Sequence, residues 1–282
     1  MLVTWAYKER PTLIQRLDPR ARLIFTLCAM LAIILVWDLR WLAGWLAFAL
    51  LVYRAARLTW KETRRFWMVV LPLITFLVLI TALTGRGGEE AYQTVHPWVT
   101  LQIGTWAWQI SVEQVVFALS QFTRMLTLAI LGLLIPFTIH PAQYGVTFRG
   151  LGLSDKFAVA TDLAFRLVPS VARDFQTTLD AQRARGYELE RKGAGVIRQI
   201  RNLAPLIVPV TIQAILNGED IIDAMDLRAF GAKPRRTWIV ELRYQTRDYI
   251  LIALGVAVLA ATIGAKLLGY GAFWVPPGWL AG

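Results

Sequence analysis

Cysteine occurs once in these 282 residues, as Cys28 inside an apolar run, so the chain has neither a disulfide framework nor a cysteine metal cluster. Histidine occurs twice, as His96 and His140, each directly before a proline and in separate loops. There is no HExxH pair and no aspartate-rich motif, and a lone His-Pro is more often a turn than a ligand. The GxxxxGK[ST] phosphate loop is missing as well, so this polypeptide does not bind ATP in that manner. The N-terminal stretch MLVTWAYKERPTLIQRLDPRARL is polar and basic. It lacks the apolar core and small-residue cleavage site of a signal peptide, and Met1 is therefore expected to start the mature chain. No catalytic, cofactor-binding or metal-binding residue is expected, and no nucleic-acid partner.

Charge is scarce too. Only 17% of the residues are charged against 56% apolar, and the mean hydropathy is +0.50. Several stretches are too apolar for the surface of a soluble domain, which predicts an all-α integral membrane protein in contact with the lipid bilayer. A bilayer core takes about 20 residues of helix. The candidate spans are Ala21 to Trp37, Trp41 to Ala56, Phe66 to Leu83, Val115 to Phe137, and Tyr249 to Leu268, about five in all. Only the tripeptide DLR separates the first two, predicting a helical hairpin with a tight turn. Trp37, Trp41, Trp67 and Trp274 flank these runs and read as an interfacial aromatic belt. Arg124, in SQFTRMLTLAI, is the one charged residue well inside a span and away from its ends. Two readings stay open for it: facing the bundle to pair with a carboxylate, or snorkelling to an interface.

Basic residues set the orientation. Lys8, Arg10, Arg16, Arg20 and Arg22 lie before or at the very start of the first span, and Arg54, Arg57, Lys61, Arg64 and Arg65 lie at the end of the second and in the loop after it. The positive-inside rule then places the N-terminus in the cytoplasm of a multi-pass cell-membrane protein, with the C-terminal tail outside. The expected organisation is a transmembrane region over 1–137, a cytoplasmic region over 138–248, and a last transmembrane helix with its tail over 249–282. In the outer loop, WVTLQIGTWAWQI alternates apolar residues on both sides of Gly104-Thr105. That pattern predicts a short β-hairpin on a II′ turn, lying on the membrane surface.

Two long helices are expected in the cytoplasmic region. From Lys156, apolar residues including Leu163, Leu167, Val171, Phe175 and Leu179 recur at three and four, the stripe of an amphipathic helix. Ser154 is the expected N-cap, Pro169 a bend, and Gly186 the stop. A second pattern runs from Val196 to about Phe230, with Pro205 and Pro209 breaking its first part. Its apolar half reads as too short to span, half inserted or packed on the spans. The two helices end in similar phrases, AQRARGY and AMDLRAF, in which Ala181 aligns with Ala224, Arg185 with Arg228, Gly186 with Ala229 and Tyr187 with Phe230. Cations at helix C-termini complement the macrodipole. Capping, however, needs neither the preceding alanine nor the following aromatic. An arginine beside small residues can instead approach a partner closely and hold a carboxylate through two bonds, and a pair of such ends suits a pair of similar acidic sockets.

The segments RLDPRARLIFTL, DLAFRLVPSVARDFQTTLDAQRARG and LIVPVTIQAILNGEDIIDAMDLRAFG resemble the transmembrane T component of energy-coupling factor (ECF) transporters, the CbiQ-like family of ABC-type vitamin and metal importers. The likeness runs in order from Leu17 to Gly231. It implies that two coupling helices each end in an Ala-Arg-Gly motif docked in a groove of one of two ATP-binding subunits. Ala184-Arg185-Gly186 matches that motif fully, while Leu227-Arg228-Ala229 keeps only the arginine. The resemblance also implies a separate substrate-binding membrane S component, with Leu163, Leu167, Val171 and Phe175 as its contact stripe. The rival readings are a self-contained carrier or channel, which would normally place ionisable residues within its spans, and a membrane-embedded enzyme, for which the catalytic inventory is thin.

Overall fold

The computed structural model describes residues 7–84, 97–103, 106–186, 196–232, 241–271 and 273–275. The elements in chain order are α1 (Pro19–Leu35), α2 (Leu39–Ala55), α3 (Trp60–Thr84), β1 (Pro97–Ile103), β2 (Trp106–Ser111), α4 (Val112–Thr138), α5 (Tyr144–Gly150), α6 (Asp155–Ala184), α7 (Val196–Leu227) and α8 (Thr246–Leu267), with a single 3-10 turn at Pro141–Gln143. They form two compact units: one within Pro141–Leu242, the other within Ala6–His140 and Arg243–Gly282.

In the second of these units α1 packs along α8, and α4 gathers α1, α2 and α3 around it. Its core is aliphatic, with Ile33, Leu42, Ala49, Ile130 and Leu131 fully or nearly fully buried. Gly255 lets α8 approach α1, because a Cβ there would lie 3.2 Å from the Cα of Phe25. The short connection before α2 is as expected, yet α2 packs chiefly on α4 and meets α1 through the edge-on Phe25–Phe48 ring pair, 6.1 Å between centroids. The strands pair antiparallel, with Val99 opposite Ile110, Leu101 opposite Trp108 and Ile103 opposite Trp106, and a register irregularity between Pro97 and Val99. The Gly104-Thr105 turn lies outside the described residues.

Among the described residues, four helices are long and apolar enough to cross a membrane: Trp60–Leu83, Val112–Thr138, Pro205–Leu227 and Thr246–Leu267. Three of them coincide with expected spans. The first two expected spans are helices of 17 residues each, about 25 Å at 1.5 Å per residue and a turn short of a full crossing. The α7 segment corrects the sequence reading. Pro205 and Pro209 lie inside one continuous helix and do not break it. Each forfeits one backbone bond, but Leu206 and Val210 beside them are buried one turn apart. The belt reading is corrected at Trp67. Trp67 is only 7% exposed and belongs to the core, and Trp37 stacks on Phe117 at 5.8 Å, whereas Trp41 is 57% exposed.

In the first unit α5 packs on α6 and α6 on α7. Ser154 caps α6 by accepting from the Phe157 N–H. Gly145 allows the α5–α6 approach, since a Cβ there would stand 2.5 Å from the Ala158 carbonyl oxygen. Tyr144 stacks on Phe165 with ring centroids 5.1 Å apart. The Arg149 Nε donates to Asp155 Oδ1 at 2.7 Å.

Candidate coupling site

Both arginine phrases close their helices in the same way. Arg185 is the C-cap of α6, and the next residue, Gly186, has φ +82°. The Gly186 N–H donates to the Arg183 carbonyl at 2.9 Å and the Arg185 N–H to that of Gln182 at 3.0 Å. Arg228 follows the last residue of α7, and Ala229 after it has φ +55°. Its N–H donates to the Asp226 carbonyl at 2.9 Å, and the Phe230 N–H reaches back to Met225 at 2.9 Å. That bond pair is the Schellman closure, whose left-handed position favours glycine. Ala229 adopts the conformation without being glycine, at a cost of about 1–2 kcal/mol.

Backbone N–H groups thus close on carbonyls of the last turn at both ends, and among the described residues neither guanidinium bonds to them. Arg185 and Arg228 are exposed, and neither guanidinium has a hydrogen-bond or ion-pair partner among the described residues. Arg183, by contrast, is engaged with Asp180 at 3.5 Å. Ala184 is exposed on the last turn of α6, and Leu227 at the end of α7 is 90% exposed. The two helices are tied upstream of these ends, where the Asn217 amide donates to Asp174 at 3.4 Å.

The α6 stripe is open. Only Ala158 and Leu179 of this helix are buried, and Leu163, Leu167, Val171 and Phe175 are half-exposed. Leu167, Val171 and Phe175 line a shallow groove of about 420 Å³ together with Ala164, Val168 and Val210; Leu163 lies outside its lining. On α7, Ile207, Val208, Ile212, Ile215 and Ile222 are each more than half exposed.

Arg124 follows neither reading left open by the sequence. It is buried, donates to the Val36 carbonyl at 2.6 Å and to the Gln121 side chain at 3.1 Å, and lies 4.4 Å over the Trp37 ring. It is therefore a cationic cap on the carbonyl end of α1. Arg22 does the same for α4, donating to the Thr138 carbonyl at 2.7 Å, so each of the two helices supplies the arginine that caps the other.

Sequence reasoning also missed a repeated Asp-x-Arg start. Asp18 and Asp38 are the N-caps of α1 and α2, and each accepts from the backbone N–H of the arginine two residues on at 2.9 Å. That arginine pairs back to the same carboxylate at 3.2 Å and stacks on an aromatic ring, Tyr244 for Arg20 and Trp274 for Arg40. The signal was legible as LDPR and WDLR, each directly ahead of an apolar run. Asp248, 2% exposed, accepts from the Asp18 N–H and the Gln245 N–H, both at 2.8 Å, and so ties the start of α8 to that of α1.

The chain is 26% identical over 249 residues to the energy-coupling factor transporter transmembrane protein EcfT of Thermanaerovibrio acidaminovorans, covering 86% of this chain and 87% of that one. It is 24% identical over 270 residues to the protein of the same name from Lactococcus lactis, covering 91% and 94%. A putative ABC transporter ATP-binding protein of Bifidobacterium longum is 27% identical over 260 residues, which are 89% of this chain and 32% of that protein. The sequence profile of the CbiQ family, described as cobalt transport protein, matches residues 11–238, and with most of its length so matched this multi-pass membrane protein belongs to the CbiQ family.

Proposed function

We propose that this chain is the energy-coupling subunit of an ATP-driven ECF-type importer of vitamins or transition-metal ions. It carries no catalytic site of its own and passes the motion of two ATP-binding subunits to a substrate-binding S component. The observation that carries this reading is the pair of long helices that each end in an exposed arginine followed by a left-handed residue. Arg185 and Arg228 are the contacts to acidic sockets on the ATP-binding subunits, flanked by Ala184 and Gly186 in the first motif and by Leu227 and Ala229 in the second. A region like this chain within a protein named as ATP-binding supports that partnership. The open α6 stripe, at Leu163, Leu167, Val171 and Phe175, supports a docked S component.

The N-terminus lies in the cytoplasm, and residues 138–248 form the coupling region between the transmembrane parts 1–137 and 249–282. In this arrangement α7 stays on the cytoplasmic side despite its length. Glu219, Asp220, Asp223 and Asp226 fall within its last turns, and carboxylates are costly in a bilayer core.

The test is co-purification of the ATP-binding subunits with variants that reach the membrane in normal amount. Removing a guanidinium buried in an interface leaves a carboxylate unpaired, at about 2–5 kcal/mol. Arg185→Ala is expected to lose the ATP-binding subunits, Arg228→Ala to weaken their retention less, and the double variant to give no stable complex. Arg191→Ala removes a nearby cation outside the motif. Equal retention by Arg185→Ala and Arg191→Ala would reduce the repeated phrase to helix capping.

A further inference from the structure

A groove between α2 and α8 has a polarity of its own. Helix α8 packs along α1 and α2 against α4, so the two outer helices leave a slot over α1. It consists of two adjoining cavities of about 500 and 270 Å³ that share Trp41, Trp45 and Val258. The lining is apolar except at Arg40, Thr262, Lys266 and Tyr270. The Thr262 hydroxyl is already committed to the Val258 carbonyl at 2.8 Å. The other three polar residues share one end of the slot: Arg40 in the first turn of α2, Lys266 in the last turn of α8, and Tyr270 just beyond it. Arg40 is held at that mouth by Asp38 and by the Trp274 ring 3.7 Å away, yet its side chain remains 59% exposed.

Gly44 gives a second, independent indication. A Cβ built there would meet nothing within 4 Å. Glycine inside a helix is a destabilising choice, and none of the described residues uses the room it leaves.

We propose that this groove binds one anionic phospholipid, with an acyl chain along Gly44, Trp45, Phe48 and Val258 and the phosphate at Arg40 and Lys266. Among the described residues two cations, Arg40 and Lys266, stand at the mouth against one carboxylate, Asp38, which pairs with Arg40, so the site favours a net-negative headgroup over a zwitterionic one.

Native mass spectrometry of the full chain, released from mild detergent with phosphatidylglycerol or phosphatidylcholine of identical acyl chains, tests this. The wild type is expected to retain phosphatidylglycerol over phosphatidylcholine by about fivefold or more. Gly44→Leu fills the slot and should abolish retention of both lipids, with its thermal unfolding unchanged. Gly264→Leu adds the same side chain to open space on α8 away from the groove lining and should behave as wild type. Lys266→Gln should bring the two lipids close to parity, and it decides the matter alone if Gly44→Leu fails to fold. The proposal is overturned if the wild type holds both lipids equally, if Gly44→Leu retains phosphatidylglycerol as well as wild type does, or if a co-purifying membrane subunit fills the groove and no lipid is found.

Discussion

Gly186 and Ala229 occupy equivalent positions with φ of +82° and +55°, and exchanging their identities has an effect that can be worked out beforehand. An L-residue in the left-handed region costs about 1–2 kcal/mol, while glycine gives back about 0.4–1 kcal/mol through the freedom it adds to the unfolded chain. The difference is about 1 kcal/mol in favour of glycine at either site. Sterics do not confound the first exchange, because a Cβ on Gly186 meets nothing within 4 Å. Ala229→Gly is therefore expected to stabilise the end of α7, and Gly186→Ala to loosen the end of α6 by a similar amount. Amide hydrogen exchange reads this directly. The Ala229 and Phe230 N–H groups, bonded to Asp226 and Met225, should gain about fivefold in protection in Ala229→Gly. Unchanged protection there, together with an undamaged α6 end in Gly186→Ala, would refute the claim that the second motif is strained. If its missing glycine is what weakens the docking proposed for Arg228, Ala229→Gly should also raise retention of the ATP-binding subunits.

Three further changes probe the packing. Gly145→Ala puts a methyl 2.5 Å from the Ala158 carbonyl oxygen and should cost about 1–3 kcal/mol as the α5–α6 contact is forced apart, seen as a lowered Tm and faster proteolysis within 141–184. Asp248→Ala removes the acceptor of two N–H groups, Asp18 and Gln245. It should cost about 2–4 kcal/mol by thermal unfolding, with Asp248→Asn recovering part of the loss. Arg124→Met keeps the volume but leaves the Val36 carbonyl without its cation and is expected to lower the Tm, whereas a carrier role for Arg124 would show as altered transport at unchanged Tm.

The large features were legible in the sequence because each rests on local or periodic chemistry. Long apolar runs gave α3, α4 and α8; the Ser154 cap and Gly186 stop bracketed α6; and alternation about Gly104 predicted the paired strands. The errors came where tertiary packing outweighed local rules. Proline was read as a break in α7, but burial of Leu206 and Val210 holds the helix together through Pro205 and Pro209. Trp67 reads as an interfacial anchor from its place at the start of an apolar run, while its ring belongs to the buried core with Ile130 and Leu131. The partner of Arg124 could not be read at all, because a backbone carbonyl 88 residues away leaves no mark on sequence.

The two units also differ in how they are held, and the difference bears on the proposed mechanism. Within Ala6–His140 and Arg243–Gly282, buried charged groups close on backbone atoms: Asp248 on two N–H groups, Arg22 and Arg124 on carbonyls at opposite helix ends. Each such contact is expensive to break because it strands a buried polar group, which makes this helix set suited to moving as a body. Within Pro141–Leu242 the inventory is different. The only buried residues of α6 are Ala158 and Leu179, the Arg166–Asp162 and Arg183–Asp180 pairs are largely exposed, and exposed pairs of that kind add little stability. Apolar side chains left open along α6 and α7 are worth about 25 cal/mol for each Å² later removed from water. The stability of these two helices therefore depends on whatever covers them, be it bilayer or subunit. A helix pair whose stability is completed by its neighbours transmits a neighbour's displacement, and its arginine-tipped ends are where the proposed displacement enters.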